Sequence, residues 1–120
     1  MLRKKLGYLW DVRDAADAIL RFVEGVSFQD YCERDIVHSA VERKFEIIGE
    51  ALSQLRKLDS ALAAELPEIE KAIGFRNLLA HGYAFVEHDK VWNIIHHDLP
   101  MMHQAAACLL NKLSGGDILP

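Results

Sequence analysis

The chain has almost nothing from which a β-sheet could be built. No stretch alternates apolar and polar residues long enough for a strand with one buried face, and no segment repeats itself or falls into low complexity. Nor does any run approach the ~18 consecutive apolar residues of a membrane-spanning helix. The N-terminus turns charged at Arg3, with no apolar core and cleavage site behind it. No membrane partner is expected, and the expected location is the cytoplasm. Cysteine is scarce: Cys32 and Cys108 lie far apart with no companion at a metal-binding spacing, so both are expected to be free, buried thiols rather than a disulfide or a zinc site. Positive charge is also short. Fourteen Lys and Arg stand against 18 Asp and Glu, a net charge of -4, which excludes nucleic-acid binding through bulk positive potential. No DNA partner is expected, and any contact with RNA must be local. The one dense basic run, Arg3-Lys4-Lys5, reads as a solvated helix end.

What is present is the composition of an ordinary globular core, 51% hydrophobic and 27% charged over 120 residues. That length suits one domain, expected over residues 1–113 with a frayed tail over 114–120. Apolar positions at Leu2, Leu6, Leu9, Ala16, Leu20 and Val23 follow helical spacing, broken only where Arg13 takes the expected slot. Gly25 suits the left-handed position after a helix, and Ser27 can cap the next one, so a tight turn should join the first two helices. The second should run long, with Val37, Val41, Phe45, Ile48, Leu52 and Leu55 on one stripe and Glu42, Glu46 and Glu50 displaced from it. Gly49 inside it costs ~1 kcal/mol relative to Ala, which a close helix–helix approach would explain. The alanine-rich stretch from Leu58 to Glu65 fits a loop or a short helix. Pro67 then looks like the first position of a third helix, with Glu68 and Glu70 favouring its N-terminus. This helix should turn Ile69, Ala72, Ile73 and Leu79 inward and stop at Gly82. A fourth begins near Asp89 and carries Trp92, Ile95, Leu99, Met102, Ala106, Leu109 and Leu113, either kinked or split by Pro100. The fold class is all-α, a four- to five-helix up-and-down bundle.

Chemistry concentrates in Arg76-Asn77-Leu78-Leu79-Ala80-His81-Gly82-Tyr83. Asn77 and His81, four apart, are neighbours on a helix. Arg76 and Tyr83, seven apart, project from similar sides of an uninterrupted one. Arg76 and His81 are five apart, about 140° around the axis, so one helix alone does not aim both at one atom. A histidine titrates in the physiological range and can take or give a proton, and an arginine can fork two donors onto a phosphate. Together they suffice for cleaving a phosphodiester without a metal or other cofactor. The simpler alternative pairs Arg76 with Glu42, Glu46 or Glu50 and leaves His81 as a residue favoured by the helix dipole.

This run resembles the R-x4-H-x-Y signature of HepT-like HEPN-domain proteins. The similarity of helix order extends along nearly the whole chain and includes Ile48-Gly49-Glu50-Ala51 and Val91-Trp92. The resemblance implies a metal-independent endoribonuclease toxin of a type VII-like toxin–antitoxin pair, dimerising so that two copies of the motif line one cleft. It makes Arg76 and His81 the catalytic pair, Asn77 the supporting polar residue and Tyr83 the tyrosine that a cognate minimal nucleotidyltransferase antitoxin adenylylates. The implied partners are therefore an RNA substrate, that antitoxin and a second copy of the chain. Two rival readings keep the fold and change the role: a non-catalytic nucleotide- or substrate-binding subunit of a nucleotidyltransferase, or a helical dimer in which the motif only supports the interface.

Other clusters carry less. His96 and His97, with Asp98, His103 and the pair His88-Asp89, invite a metal reading. Adjacent helical residues point about 100° apart, however, so His96 and His97 do not readily share an ion, and no metal is expected there. Glu42, Glu46 and Glu50 lack the Glu-x-x-His partners of di-iron bundles. Trp10, Trp92, Met101 and Met102 at helical spacing read as core or interface.

Overall fold

A computed structural model describes residues 2–81 and 86–115. Among them are seven helices and no strand: α1 (Leu2–Phe22), α2 (Phe28–Glu33), α3 (Asp35–Leu58), α4 (Ser60–Ala63), α5 (Ile69–His81), α6 (His88–His96) and α7 (Asp98–Leu113). The all-α expectation holds, and the expected bundle corresponds to the five helices of nine residues or more.

Helix α3 organises the rest because its stripe is unbroken. Val37, Val41, Phe45, Ile48, Leu52 and Leu55 are all buried, and the helix packs against both α1 and α5, while α7 closes on α1. Neighbours run in opposite directions. Lys5, near the start of α1, reaches Asp59 just past the end of α3 at 2.9 Å. Arg56, late in α3, pairs with Glu70 at the start of α5, whereas the earlier Phe45 ring meets Phe75 at 5.2 Å between centroids. In α1 the buried face also takes in Val12, Ala15, Ala18 and Ile19, while Leu2, the first member of the predicted stripe, is 51% exposed. Arg13, the exception in that stripe, lies with its guanidinium 4.0 Å over the Trp10 ring, a cation–π contact that occupies an otherwise apolar slot.

The turns depart from expectation in two places and decide between two expected alternatives in a third. Gly25 takes the predicted left-handed conformation at φ +72°, and the Ser27 hydroxyl accepts from the Asp30 amide at 3.1 Å. The helix it caps is the six-residue α2, not the long one; extended backbone at Arg34 separates the two. The insertion buries Tyr31, and α2 packs on both α3 and α6. Pro67 is not the first residue of α5. Leu66 is buried, so the chain must reverse before a helix can leave the core, and Glu68 makes that reversal at φ +57°, a conformation uncommon outside glycine. Its carbonyl then accepts from the Ala72 amide at 3.1 Å. The last helical pattern splits in two at His97, before Pro100. The proline becomes the third residue of α7, where its missing N–H falls among first-turn groups that lack an intrahelical partner anyway.

Both cysteines are free, as expected, but neither is fully buried: Cys32 is half-buried and Cys108 exposed. Met102 joins the core, whereas Met101 is exposed. No helix among the described residues is long and apolar enough to cross a membrane.

Candidate functional site

Helix α5 is continuous from Ile69 to His81, and Arg76 lies one slot further along the face that Ile69, Ala72 and Ile73 turn to the core. An arginine there must run its stem through the helix–helix contact and release its head at the edge. Gly49 of α3 makes the room. A Cβ built at Gly49 would stand 2.1 Å from the Arg76 Cβ, 2.7 Å from its Cγ and 3.0 Å from the Ala72 carbonyl oxygen, so no other residue fits without moving a helix. The close approach expected at Gly49 is therefore an approach to the Arg76 stem.

The next residue of α3 holds the head. Arg76 Nη2 lies 2.5 Å from Glu50 Oε1, and Gln54 Nε2 donates to the other carboxylate oxygen at 3.0 Å. Arg76 Nη1 donates to Asn77 Oδ1 at 3.0 Å. Gln54, Glu50, Arg76 and Asn77 thus form one polar chain along the seam of α3 and α5. The side chains of Arg76 and Glu50 are 33% and 47% exposed, so the pair is open to water and to a ligand. Of the three glutamates considered for Arg76, Glu50 is the one it meets; Glu46 and Glu42 lie one and two turns back along α3. Asn77, which the motif alone leaves open to pairing with His81 or substrate, gives its carbonyl oxygen to Arg76.

A groove of about 240 Å³ opens beside this pair between α1 and α3. Asp11, Glu46 and Glu50 line it against Arg43 and Arg76, so its acids outnumber its bases. Burial, and secondarily the neighbouring Asp14, push the Asp11 carboxyl above its ordinary range. An anion entering from this side meets a cation already balanced by Glu50.

His81 is the last residue of α5 and is exposed. Because α5 is regular through this stretch, Arg76 and His81 differ by about 140° around the axis and ~7.5 Å along it. One copy of the helix does not bring the two to one point. Gly82 and Tyr83 lie outside the described residues.

Among the described residues, His96, His97 and His103 are not gathered about one point with other metal-ligating side chains. His96 and His97 each donate from Nδ1 to a carbonyl four residues back, Trp92 at 2.8 Å and Asn93 at 2.9 Å. His103 faces Asp17 across the α1–α7 seam at 3.7 Å. Trp92 packs among Phe28, Tyr31 and His96.

The sequence profile described as "Ribonuclease HepT-like" matches residues 12–109, a span that includes α3 and the whole of α5. Among related proteins, "Probable ribonuclease HepT" of Thermococcus cleftensis is 31% identical over 102 residues, 85% of this chain and 92% of that protein. "Putative RNase TTE0752" of Caldanaerobacter subterraneus is 30% identical over 105 residues, 88% of this chain and 93% of its own length. "Putative RNase MJ1380" of Methanocaldococcus jannaschii is 26% identical over 95 residues, 78% and 84% of the two chains. No solved structure matches the chain significantly.

Proposed function

Because the chain belongs to the ribonuclease HepT-like family, we propose that it is an endoribonuclease whose working pair is Arg76 and His81. The observation that carries the reading is the placement of both residues on α5, Arg76 with its head at the α3–α5 seam and His81 exposed at the helix end, inside the stretch that matches the family. In the proposed reaction the ribose 2′-oxygen attacks the adjacent phosphorus in line while the 5′-oxygen leaves. Its proton goes to an imidazole, and an imidazolium returns one to the leaving oxygen. Arg76 turns from Glu50 to the phosphate, where it stabilises charge that grows in the transition state. No metal ion is needed for these steps, and the products are a 2′,3′-cyclic phosphate and a 5′-hydroxyl.

The separation of the pair on α5 is met by a homodimer in which Arg76 of one copy and His81 of the other face one cleft. Digestion of RNA without added divalent cation tests both points. Wild type should cut, leaving those ends; Arg76→Ala and His81→Ala should each lose at least ~100-fold; and a mixture of the two variants should regain about a quarter of wild-type activity, since half the dimers are mixed and one of their two sites is whole. Cleavage by His81→Ala at the wild-type rate, or of RNA with a 2′-deoxy at the cut, would sink the mechanism. A mixture as inactive as its parts would sink the shared cleft.

In the cell such an activity would be a toxin, and the proposed control is adenylylation of Tyr83 by a minimal nucleotidyltransferase. The added phosphate and adenosine would compete for Arg76 and crowd the cleft. Intact-mass analysis of chain co-expressed with that enzyme should show one AMP, absent from Tyr83→Phe. An unchanged mass in the wild type would count against it.

One observation favours a second reading, a nucleotide-binding subunit without cleavage: Glu50 already neutralises Arg76, which lowers the charge available to a transition state. Purified chain that binds ATP and leaves RNA intact would select it.

A further inference from the structure

A second cluster sits at the other end of α3, on residues the proposed reaction does not use. His38 and Glu42 are one turn apart on α3, and His88, the first residue of α6, meets them from across the packing seam. One ligand atom from each of the three lies within 4.8 Å of the other two, against ~3.3 Å between donors of a tetrahedral zinc ion with 2.0–2.1 Å bonds. Small side-chain rotations close that difference. The two imidazoles are already close, 4.4 Å between centroids with their planes tilted by 40°, and Glu42 Oε2 is 3.8 Å from His38 Nδ1.

Two further features separate this cluster from a surface ion pair. Among the described residues, Nδ1 of His88 is buried and lacks a hydrogen-bond partner, and so does the hydroxyl of Tyr31, whose ring packs edge-on against both histidines at 6.1 and 5.6 Å. Buried polar atoms left unmatched at one place call for a missing partner. The other side of His38 is supported as metal-bound histidines usually are: Asp35 Oδ1 lies 3.3 Å from its Nε2, a carboxylate placed to take the second ring N–H and fix the ring.

We propose that His38, Glu42 and His88 bind one divalent transition-metal ion of the zinc type. Two imidazoles and one carboxylate select such an ion over Mg2+ or Ca2+, which prefer oxygen, and a water completes four-coordination. Glu50 lies eight residues beyond Glu42, ~12 Å along the helix, so the ion takes no part at Arg76. Its role is to clamp the first turn of α6 to α3. His88 follows His81 by seven residues, and the clamp thereby fixes one end of the chain leading from the proposed active helix.

Zinc itself is the probe. Untagged wild-type chain mixed with excess Zn2+ and dialysed should retain about one equivalent per chain and melt at a higher temperature than the chelator-treated protein. His88→Gln and Glu42→Gln should each retain under a tenth of that and show no zinc-dependent rise. His96→Gln/His97→Gln should behave as wild type. Substoichiometric zinc in the wild type, or full retention by Glu42→Gln, overturns the site; Glu42→Gln stands on a half-buried surface and serves if His88→Gln does not fold. Metal content is read without RNA, so this result and the nuclease result stand or fall separately.

Discussion

Gly49 shows how one residue is fixed by another that is 27 positions away in sequence. In a bare helix Gly49→Ala would gain ~1 kcal/mol from propensity. Here the new methyl would enter the Arg76 stem and the Ala72 carbonyl, and overpacking of this kind typically costs ~1–3 kcal/mol. The clash outweighs the propensity, so Gly49→Ala should unfold at lower urea than wild type and should also disturb the Arg76 head. Arg76→Ala should not rescue it, because the nearest atom is the Cβ that alanine keeps. A variant as stable as wild type would mean that α3 and α5 separate freely. The next residue, Glu50, is as closely matched: it sits where the guanidinium emerges and pairs with it.

At the scale of elements, the helices that frame the site are held by their ends. Asp59 does two tasks at the junction of α3 and α4: one carboxylate oxygen accepts from the Leu62 amide at 3.0 Å, and the other meets Lys5 at 2.9 Å. Lys5 first, and then the backbone amide, hold the Asp59 carboxyl below its ordinary value of 3.8. A carboxyl depressed in the folded state stabilises the fold above its unfolded value, and that contribution disappears as pH falls through the folded one. Asp59→Asn keeps a capping acceptor and loses the charge. The variant should therefore be less stable than wild type at pH 7, with the gap closing below about pH 4; equal gaps in melts at pH 7 and pH 3 would count against the account. The stripe of α3 and the glycine turn after α1 were legible because each depends on local spacing. The break at Arg34, the late start of α5 and the choice of a split at His97 over a kink were not, since each follows from burying Tyr31, burying Leu66 or seating Pro100 in a first turn.

For the molecule as a whole, shape and charge both bear on the proposed reaction. A net charge of -4 and a groove with more acids than bases beside Arg76 leave a lone chain poorly suited to hold an RNA backbone. Two copies facing each other would concentrate Arg76 and His81 in one cleft, and the mixed-variant digestion measures that arrangement directly. The proposed metal clamp acts at the far end of α3, so loss of the ion and loss of the dimer should be separable: the first in zinc content, the second in recovered cleavage.

The sequence by itself determined the all-α class, the buried face of α3 and the membership that the motif announced, because helical periodicity and a contiguous eight-residue run are properties of neighbours in the chain. It left open which acid Arg76 meets, which side chain takes the space at Gly49, and which histidines come together. Only the tertiary structure decided these, since Gly49 and Glu50 reach Arg76, and His38 and Glu42 reach His88, across helix seams whose register no local pattern records.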